Sequence, residues 1–240
     1  MHFVSSWDDG HPLDERVAEL HADRGLKATF FVPLRNREGR SVMHPSTVRS
    51  LDRAGFEIGS HTADHCYLDR LPEDEAAKQI QAGKTGLEEI LGHAVTGFCY
   101  PGGRQPAFSQ RLLRAAGITY ARTVENLRTD CQFRPLEVPT TFQFYPHNLA
   151  TLVGNAFRSP AQITKKLFLV RRLKQRGSGL PALIDFVESR CGSDAYIHIW
   201  GHSWEIEKLD AWDELAKLLD AAKSCRSSIT VGELVAQKSD

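Results

Sequence analysis

Two groups of residues in this 240-residue chain have the types and spacing that metal-assisted hydrolysis requires. Asp8 and Asp9 are adjacent carboxylates followed by Gly10, and His61 and His65 are imidazoles four residues apart. One carboxylate and two imidazoles can hold a divalent ion with a coordination position left open, while the second carboxylate stays available as a general base. The chemistry that these residues indicate is attack by activated water.

Each pair also has an ordinary structural interpretation. Two Asp residues before Pro12 could cap a helix, and two histidines at this spacing could lie one helical turn apart on a surface. Neighbouring strand residues point to opposite faces, so both carboxylates reach one site only if the backbone turns sharply, which Gly10 permits. The metal interpretation is favoured because Asp9 completes an Asp-His-His set.

Apolar runs alternate with amphipathic stretches along the chain, a rhythm typical of parallel strands joined by helices. The pattern predicts strands at 3–7, 28–32, 56–59, 95–100, 119–123, 136–141 and 195–200. It predicts helices at 13–24, 45–54, 73–91, 107–116, 161–172, 181–190 and 209–222, with Pro72 and Gly92 marking the ends of the longest. This length suits one α/β domain covering 1–240.

The candidate residues cluster at strand ends. In a parallel barrel the loops after the strands surround one opening, so residues there can meet. The candidates come at or after the ends of five predicted strands, namely Asp8 and Asp9, His61 and His65, residues 101–103, Arg122, and His202. The sequence therefore predicts that these groups share one rim.

Composition limits the other possibilities. Thirty basic and thirty acidic residues cancel, which argues against a broad surface for nucleic acid or an anionic membrane but leaves a local basic patch open. One basic run, 165–176, lies in the long irregular stretch 124–179 and is either a solvated helix face or an anionic-ligand site. Five scattered cysteines, no signal-peptide pattern and no apolar run of ~20 residues predict a cytoplasmic protein without a membrane span.

Four motifs together resemble the polysaccharide deacetylase superfamily, the NodB-homology or carbohydrate esterase family 4 group. They are SWDDG at 6–10, HTADH at 61–65, FCYPGG at 98–103 and GHSWE at 201–205, in the family's order. The resemblance implies an α/β fold, a distorted, incomplete (β/α) barrel of about seven parallel strands. It also implies a hydrolase of non-peptide C–N bonds that removes the N-acetyl group from an amino-sugar-containing glycan or glycan precursor.

The resemblance assigns roles to individual residues. It implies one divalent ion, Zn²⁺ or alternatively Co²⁺ or Ni²⁺, held by Asp9, His61 and His65. Asp8 would be the general base and His202 the general acid that protonates the departing amine. A backbone N–H in the loop at 100–103 would stabilise the oxyanion, and the residues expected to contact substrate or oxyanion are Tyr100, Pro101, Gly102 and Trp204.

The match departs from the family pattern at Cys99, where many members carry an arginine that pairs with the catalytic Asp. A thiol cannot replace a guanidinium, so Arg122 at the end of the next strand is the candidate replacement, with an ordinary surface ion pair as the alternative. His198 and His202 compete for the acid role. His202 is favoured because it ends the strand, and His198 is expected to be a hydrogen-bonded core residue beneath it.

Two other functions stay open. The departure at Cys99 leaves room for a metal-independent amidohydrolase of a small ureido or cyclic amide compound, although Asp9 and both histidines favour the metal-using branch. The second alternative is a non-catalytic carbohydrate-binding barrel, in which a free base beside a metal would have no use. The sequence leaves the particular sugar and the oligomeric state open.

Overall fold

The computed structural model describes residues 1–158, 162–177, 179–190 and 196–237. Within these residues eight strands form one sheet, and every pairing in it is parallel. They are β1 His2–Asp8, β2 Thr29–Val32, β3 Glu57–Ser60, β4 Gly97–Cys99, β5 Tyr120–Arg122, β6 Phe142–Gln143, β7 Tyr196–Gly201 and β8 Ser227–Ile229. The order is β5-β4-β3-β2-β1-β7-β6, with β8 also paired to β1, so the sheet is a curled half-barrel. The predicted incomplete barrel is confirmed.

Helices surround this sheet. They are α1 Asp14–Ala22, α2 Pro45–Arg53, α3 Glu73–Leu91, α4 Ser109–Ala115, α5 Leu149–Arg158, α6 Ile163–Lys174, α7 Gly179–Arg190, α8 Ser203–Lys208, α9 Trp212–Ala222 and α10 Val231–Ala236. Helix α3 has the bounds that Pro72 and the left-handed Gly92 predict. Among the described residues, none of the helices combines the length and hydropathy needed to cross a bilayer.

One predicted strand, 136–141, is wrong. The chain there forms a short 3₁₀ turn at Pro135–Glu137 and a single bridge between Val138 and Arg122, and β6 begins only at Phe142. Pro135 has no N–H to donate, which favours the turn over a regular ladder. The start of the predicted strand at 195–200 lies outside the described residues, and the rest forms β7.

The central strand β1 is buried on both faces, and its side chains alternate between two environments. Phe3 and Trp7 pack in the large cluster shared with the helices, whereas Val4 packs in the barrel interior. Asp8 has the same parity as Val4, so it extends the interior face to the carboxyl end of the strand. The alternation therefore aims one carboxylate of the Asp pair into the barrel mouth.

Helix α3 supports the loop after β3 through a close backbone contact at Gly83. A Cβ at this position would lie 2.6 Å from the Thr62 carbonyl carbon and 2.8 Å from the Ala63 nitrogen. These are backbone atoms of the segment between His61 and His65, so they cannot move without moving the histidines. Gly83 thus lets the helix and the loop pack at van der Waals distance.

We expect Gly83→Ala to destabilise the protein by about 1–3 kcal/mol, because the added methyl overpacks a rigid contact. Gly154 in α5 is the matched control, since a Cβ there meets no atom of the described residues within 4 Å. Gly154→Ala should stabilise by about 0.5–1 kcal/mol through the lower entropy of the unfolded chain. Urea unfolding measures both variants, and equal stability of the two would contradict the close packing at Gly83.

Candidate active site

The Asp pair closes β1 where the backbone turns away from the sheet. Asp9 has a φ of 73° and Gly10 a φ of 57°, so the left-handed turn begins one residue before the glycine. A Cβ on Gly10 would lie 2.8 Å from Val32 Cγ1, so this position requires glycine. Helix α1 begins at Asp14 without a side-chain cap, and the alternative that the pair caps this helix is wrong.

His61 and His65 lie in the loop after β3, not on a helical turn. The backbone is left-handed at Thr62 and His65, with φ of 65° and 53°, and the imidazole centroids are 5.0 Å apart. The Ala63 N–H donates to the Gln79 carbonyl of α3 at 3.0 Å. The loop is therefore fastened to a helix, and the two rings are held near each other by its irregular backbone.

Asp9, His61 and His65 converge closely enough to share one ion. Their candidate ligand atoms all lie within 4.8 Å of one another, and Asp9 Oδ1 is 3.0 Å from His65 Nε2 and 3.7 Å from His61 Nε2. His61 Nδ1 donates to the Cys99 carbonyl at 2.8 Å, which leaves its Nε2 lone pair for a metal. Burial lowers the pKa of His61 to about 4, so this ring is in the neutral form that binds metals.

The donor set fits a divalent cation. Asp9 Oδ2 accepts a hydrogen bond from Trp204 Nε1 at 2.9 Å, whereas Oδ1 is buried, lies 3.0 Å from His65 Nε2 and makes no hydrogen bond of good geometry within the described residues. A buried carboxylate oxygen without a partner is unfavourable unless a cation satisfies it. One carboxylate and two imidazoles together favour a first-row transition metal over Mg²⁺ or Ca²⁺.

A second group, Asp8, His61 and Cys99, also has ligand atoms within 4.8 Å. Burial raises the pKa of the Cys99 thiol well above its ordinary value, so the thiolate that a metal needs is disfavoured. Asp8 is already paired with Arg122. The group containing Asp9 is therefore the better candidate metal site.

Arg122 meets Asp8 inside the barrel. Their side chains are 0% and 4% exposed, and Arg122 Nη2 donates to Asp8 Oδ1, so the alternative of a surface ion pair is wrong. Cys99 of β4 stands directly beside Arg122 of β5 in the sheet register, and paired residues of neighbouring parallel strands point to the same face. The guanidinium thus reaches the carboxylate from the strand adjacent to Cys99.

This pair sets the protonation state of Asp8. Burial alone would raise the pKa of the carboxyl, but the Arg122 charge, followed by the charges of His61 and His202, lowers it below its ordinary value. Asp8 Oδ2 has only a weak contact, with Cys99 Sγ at 3.8 Å. Asp8 is therefore ionised at neutral pH, with one oxygen that a proton can reach.

His202 follows β7 and is held by Glu205 of α8. Its Nδ1 donates to Glu205 Oε2 at 2.7 Å, and Gln143 Nε2 donates to the same oxygen at 3.1 Å. Burial alone would lower the pKa of His202, but the Glu205 hydrogen bond and the charges of Asp9 and Asp8 raise it to about 9. His202 therefore carries a proton at neutral pH.

His198 lies deeper, as predicted. Its side chain is fully buried and bonded to Ser6 Oγ at 2.9 Å and to the Pro139 carbonyl at 3.2 Å. Burial and then the Arg122 charge lower its pKa to about 3. A neutral, satisfied imidazole in the barrel interior is a structural residue, and the prediction that His198 belongs to the core is confirmed.

We expect Glu205→Gln to move the alkaline limb of the pH–kcat/KM profile to lower pH by about one unit or more. The carboxylate raises the pKa of His202, so its neutral replacement lowers that pKa and the acid form is lost at lower pH. Glu207 on the same helix bonds Trp212 Nε1 instead, so Glu207→Gln is the matched control. An unchanged limb in Glu205→Gln would contradict this assignment.

The loop after β4 offers one backbone donor. Tyr100 N–H donates to the Arg122 carbonyl, Gly103 N–H donates to the Tyr100 carbonyl, and Pro101 has no N–H. Gly102 remains, and it lines the cleft with a φ of 59°. Tyr100 lines the cleft as predicted, and its hydroxyl donates to the Leu136 carbonyl, which fixes the ring in the cleft wall. Pro101 is buried and is not among the residues lining the cleft.

The candidate metal ligands, Asp8, Gly102 and His202 line a cleft of about 430 Å³. Arg122, Cys99 and His198 are not among the residues that line it. Trp204 forms part of its wall, and the Arg40 guanidinium stacks 4.2 Å above the Trp204 ring. The other lining residues that the sequence interpretation did not assign are Glu38, Tyr67, Val124, Asn126, Gln143, His147, Thr151, Asn155, Trp200 and Glu205. Only Glu205 had a signal in the sequence, its position one helical turn after His202.

Comparisons with known proteins agree with this fold. The family model described as "Polysaccharide deacetylase" matches residues 2–121. A chitin deacetylase from Pestalotiopsis sp is 33% identical over 112 residues, which cover 46% of this chain and 36% of that protein. A peptidoglycan-N-acetylglucosamine deacetylase from Bacillus cereus is 31% identical over 91 residues, which cover 37% of this chain and 32% of the relative. The chain thus matches about a third of the length of these curated relatives.

The fold extends over nearly the whole chain. The structure of the chitin deacetylase from the fungal pathogen Colletotrichum lindemuthianum superposes with a TM-score of 0.64 and 18% identity, covering 97% of this chain and 87% of that chain. This likeness concerns the fold, which continues beyond the residues that the family model matches. Since that model accounts for half of the sequence, the chain belongs to the polysaccharide deacetylase family.

Proposed function

We propose that this protein is a metal-dependent hydrolase that removes N-acetyl groups from an amino-sugar-containing glycan or glycan precursor. The observation that carries the proposal is the convergence of Asp9, His61 and His65 beside an ionised Asp8 and a protonated His202. Family membership and the names of the two curated relatives support the substrate class. The donor set favours Zn²⁺, with Co²⁺ or Ni²⁺ as alternatives.

A divalent ion held by Asp9, His61 and His65 would supply Lewis acidity toward the amide carbonyl and lower the pKa of water at the site. Asp8 accepts the proton of the attacking water through Oδ2, the oxygen that Arg122 leaves available. The Gly102 N–H donates to the developing oxyanion, at a position where no side chain obstructs the approach.

His202 completes the reaction by protonating the departing nitrogen. An amine leaves as a neutral molecule only when it has gained a proton, and the Glu205 contact keeps His202 charged for that step. Asp8 as base and His202 as acid have pKa values shifted in opposite directions. An ionised base and a protonated acid are thus present at the same pH, as a hydrolase needs for both proton transfers.

The test is acetate release from N-acetylated oligosaccharides by the protein before and after treatment with a chelator. Activity that is lost with the chelator and restored by stoichiometric Zn²⁺, Co²⁺ or Ni²⁺ supports the proposal. A metal-free protein that hydrolyses small cyclic or ureido amides would establish the metal-independent alternative instead. A protein that binds oligosaccharide but releases no acetate with any of these metals would be a binding barrel.

A further inference from the structure

The basic run at 165–176 has a feature that an ordinary solvated helix face lacks. Six large hydrophobic side chains are exposed in the described part of the chain, and five of them lie between Tyr145 and Phe168. Phe157 at the end of α5 is 62% exposed, and Leu167 and Phe168 of α6 are 38% and 54% exposed. Exposed apolar residues scattered singly are normal, but concentration on one helix pair is not.

Helix α6 separates into two faces. Lys166, Leu169, Val170 and Leu173 are buried against the domain, and Lys166 Nζ pairs with Glu125 at 2.8 Å. The opposite face combines Leu167 and Phe168 with basic side chains. On a helix, residues three and four apart are neighbours, so Phe168 is flanked by Lys165, Arg171 and Arg172.

This outer face carries uncompensated positive charge. Residues 162–177 contain six basic and no acidic residues. Lys166 and Arg176 pair with Glu125 and Asp185. Among the described residues no carboxylate lies within 4 Å of the other four cations, which are Lys165, Arg171, Arg172 and Lys174. A chain with balanced total charge has thus concentrated cations beside its exposed apolar side chains.

We propose that this α6 face, Lys165, Leu167, Phe168, Arg171, Arg172 and Lys174, docks the protein on an anionic lipid bilayer. Basic side chains bind headgroup phosphates, while Leu167 and Phe168 reach the boundary between headgroups and acyl chains. Helices that lie in a membrane interface combine these two contacts. A second copy of the chain is a poorer occupant, because a symmetric contact would oppose the same cations. An anionic bilayer, with charged headgroups above an apolar layer, matches both the cations and the apolar side chains of the face.

The docking face lies beside the candidate active site. Helix α5, which packs on α6, supplies Thr151 and Asn155 to the wall of the cleft. A smaller cavity of about 50 Å³ shares Gln143 and His147 with that cleft, and residues of both helices line it. A docked molecule therefore holds its cleft close to the bilayer surface, where a sugar borne by a lipid would be within reach.

The test measures binding to vesicles, so its result does not depend on the proposed hydrolase activity. The full chain is sedimented with phosphatidylcholine vesicles and with vesicles containing about one third phosphatidylglycerol. We expect binding to the anionic vesicles alone, weakened by high salt. Lys165→Gln and Arg171→Gln should each reduce the partition coefficient about fivefold. Phe168→Ser should reduce it about tenfold.

Two control variants match these changes on another surface. Lys217 of α9 and Leu209 after α8 are exposed residues of the same chemistry, and Lys217→Gln and Leu209→Ser should bind as wild type does. Circular dichroism and urea unfolding confirm that each variant is folded. Equal binding to neutral vesicles, no binding to anionic ones, or equal losses in the controls would overturn the proposal. So would a dimer in sedimentation velocity that Phe168→Ser abolishes, since the face would then join two copies.

Discussion

His202→Ala is expected to lower kcat by about 10²–10⁴ while the protein keeps its metal. In the proposed function the imidazole is the proton donor to the leaving nitrogen, and its ring is held by Glu205 outside the Asp9, His61 and His65 group. Asp9→Ala should have the opposite signature, because it removes a ligand and the metal content of the purified protein should fall. Steady-state acetate release and elemental analysis of the same preparations separate the two effects.

A change of leaving group tests the acid role of His202 directly. An aryl acetate departs as an oxyanion of low basicity and needs no proton, so His202→Ala should hydrolyse it at close to the wild-type rate. The exposed His93 is bonded to Asp52, and neither residue is among those that line the cleft, so His93→Ala is the control. Normal deacetylation of the sugar amide by His202→Ala, or an equal loss on amide and aryl ester, would refute the assignment.

Arg122→Met is expected to destabilise the protein by about 3–5 kcal/mol, because it leaves the Asp8 carboxylate buried without its cation. The variant should also change the pH dependence of activity. Arg122 lowers the pKa of Asp8, so its removal raises that pKa, and the acid limb of the kcat/KM profile moves to higher pH. Urea unfolding and pH–rate profiles measure the two effects.

Moving the guanidinium between strands is a sharper form of this experiment. Cys99→Arg alone would put two guanidinium groups against one carboxylate in a closely packed interior, and it should destabilise. The double variant Cys99→Arg/Arg122→Cys restores one cation opposite Asp8, because the two positions are paired in register. The double variant should lose less stability than the two single variants lose together, and the difference is the coupling energy between the two positions. Additive losses would show that Arg122 acts independently of its neighbour on β4.

The sequence predicted the parts of this molecule that have strong local signals. Six strands and helix α3 follow from apolar runs and from turn residues such as Gly92. The rule that barrel chemistry sits at strand ends predicted the convergence of Asp9 with His61 and His65. The placement of Arg122 against Asp8 was also predicted, because the missing arginine at Cys99 required a substitute nearby.

Other features depend on contacts that no local pattern reports. The short polar strand β8 forms because β1 offers it a free ladder edge at His2–Val4. The segment 136–141 departs from a strand because Pro135 precedes it and Pro139 lies within it. His61 and His65 meet through a left-handed loop instead of a helix turn, which their spacing cannot show. The predicted cytoplasmic location and single domain covering 1–240 stay predictions.

The neighbouring positions of Cys99 and Arg122 also affect how members of this family are sorted into active and inactive proteins. A column-by-column comparison of sequences would record an absent arginine on β4 and could classify such a chain as catalytically dead. In three dimensions the cation is present, contributed by β5 to the same carboxylate. Surveys of degenerate homologues should therefore record which charge lies against the carboxylate in three dimensions, since an arginine on the neighbouring strand keeps the cation in place although the sequence motif is lost.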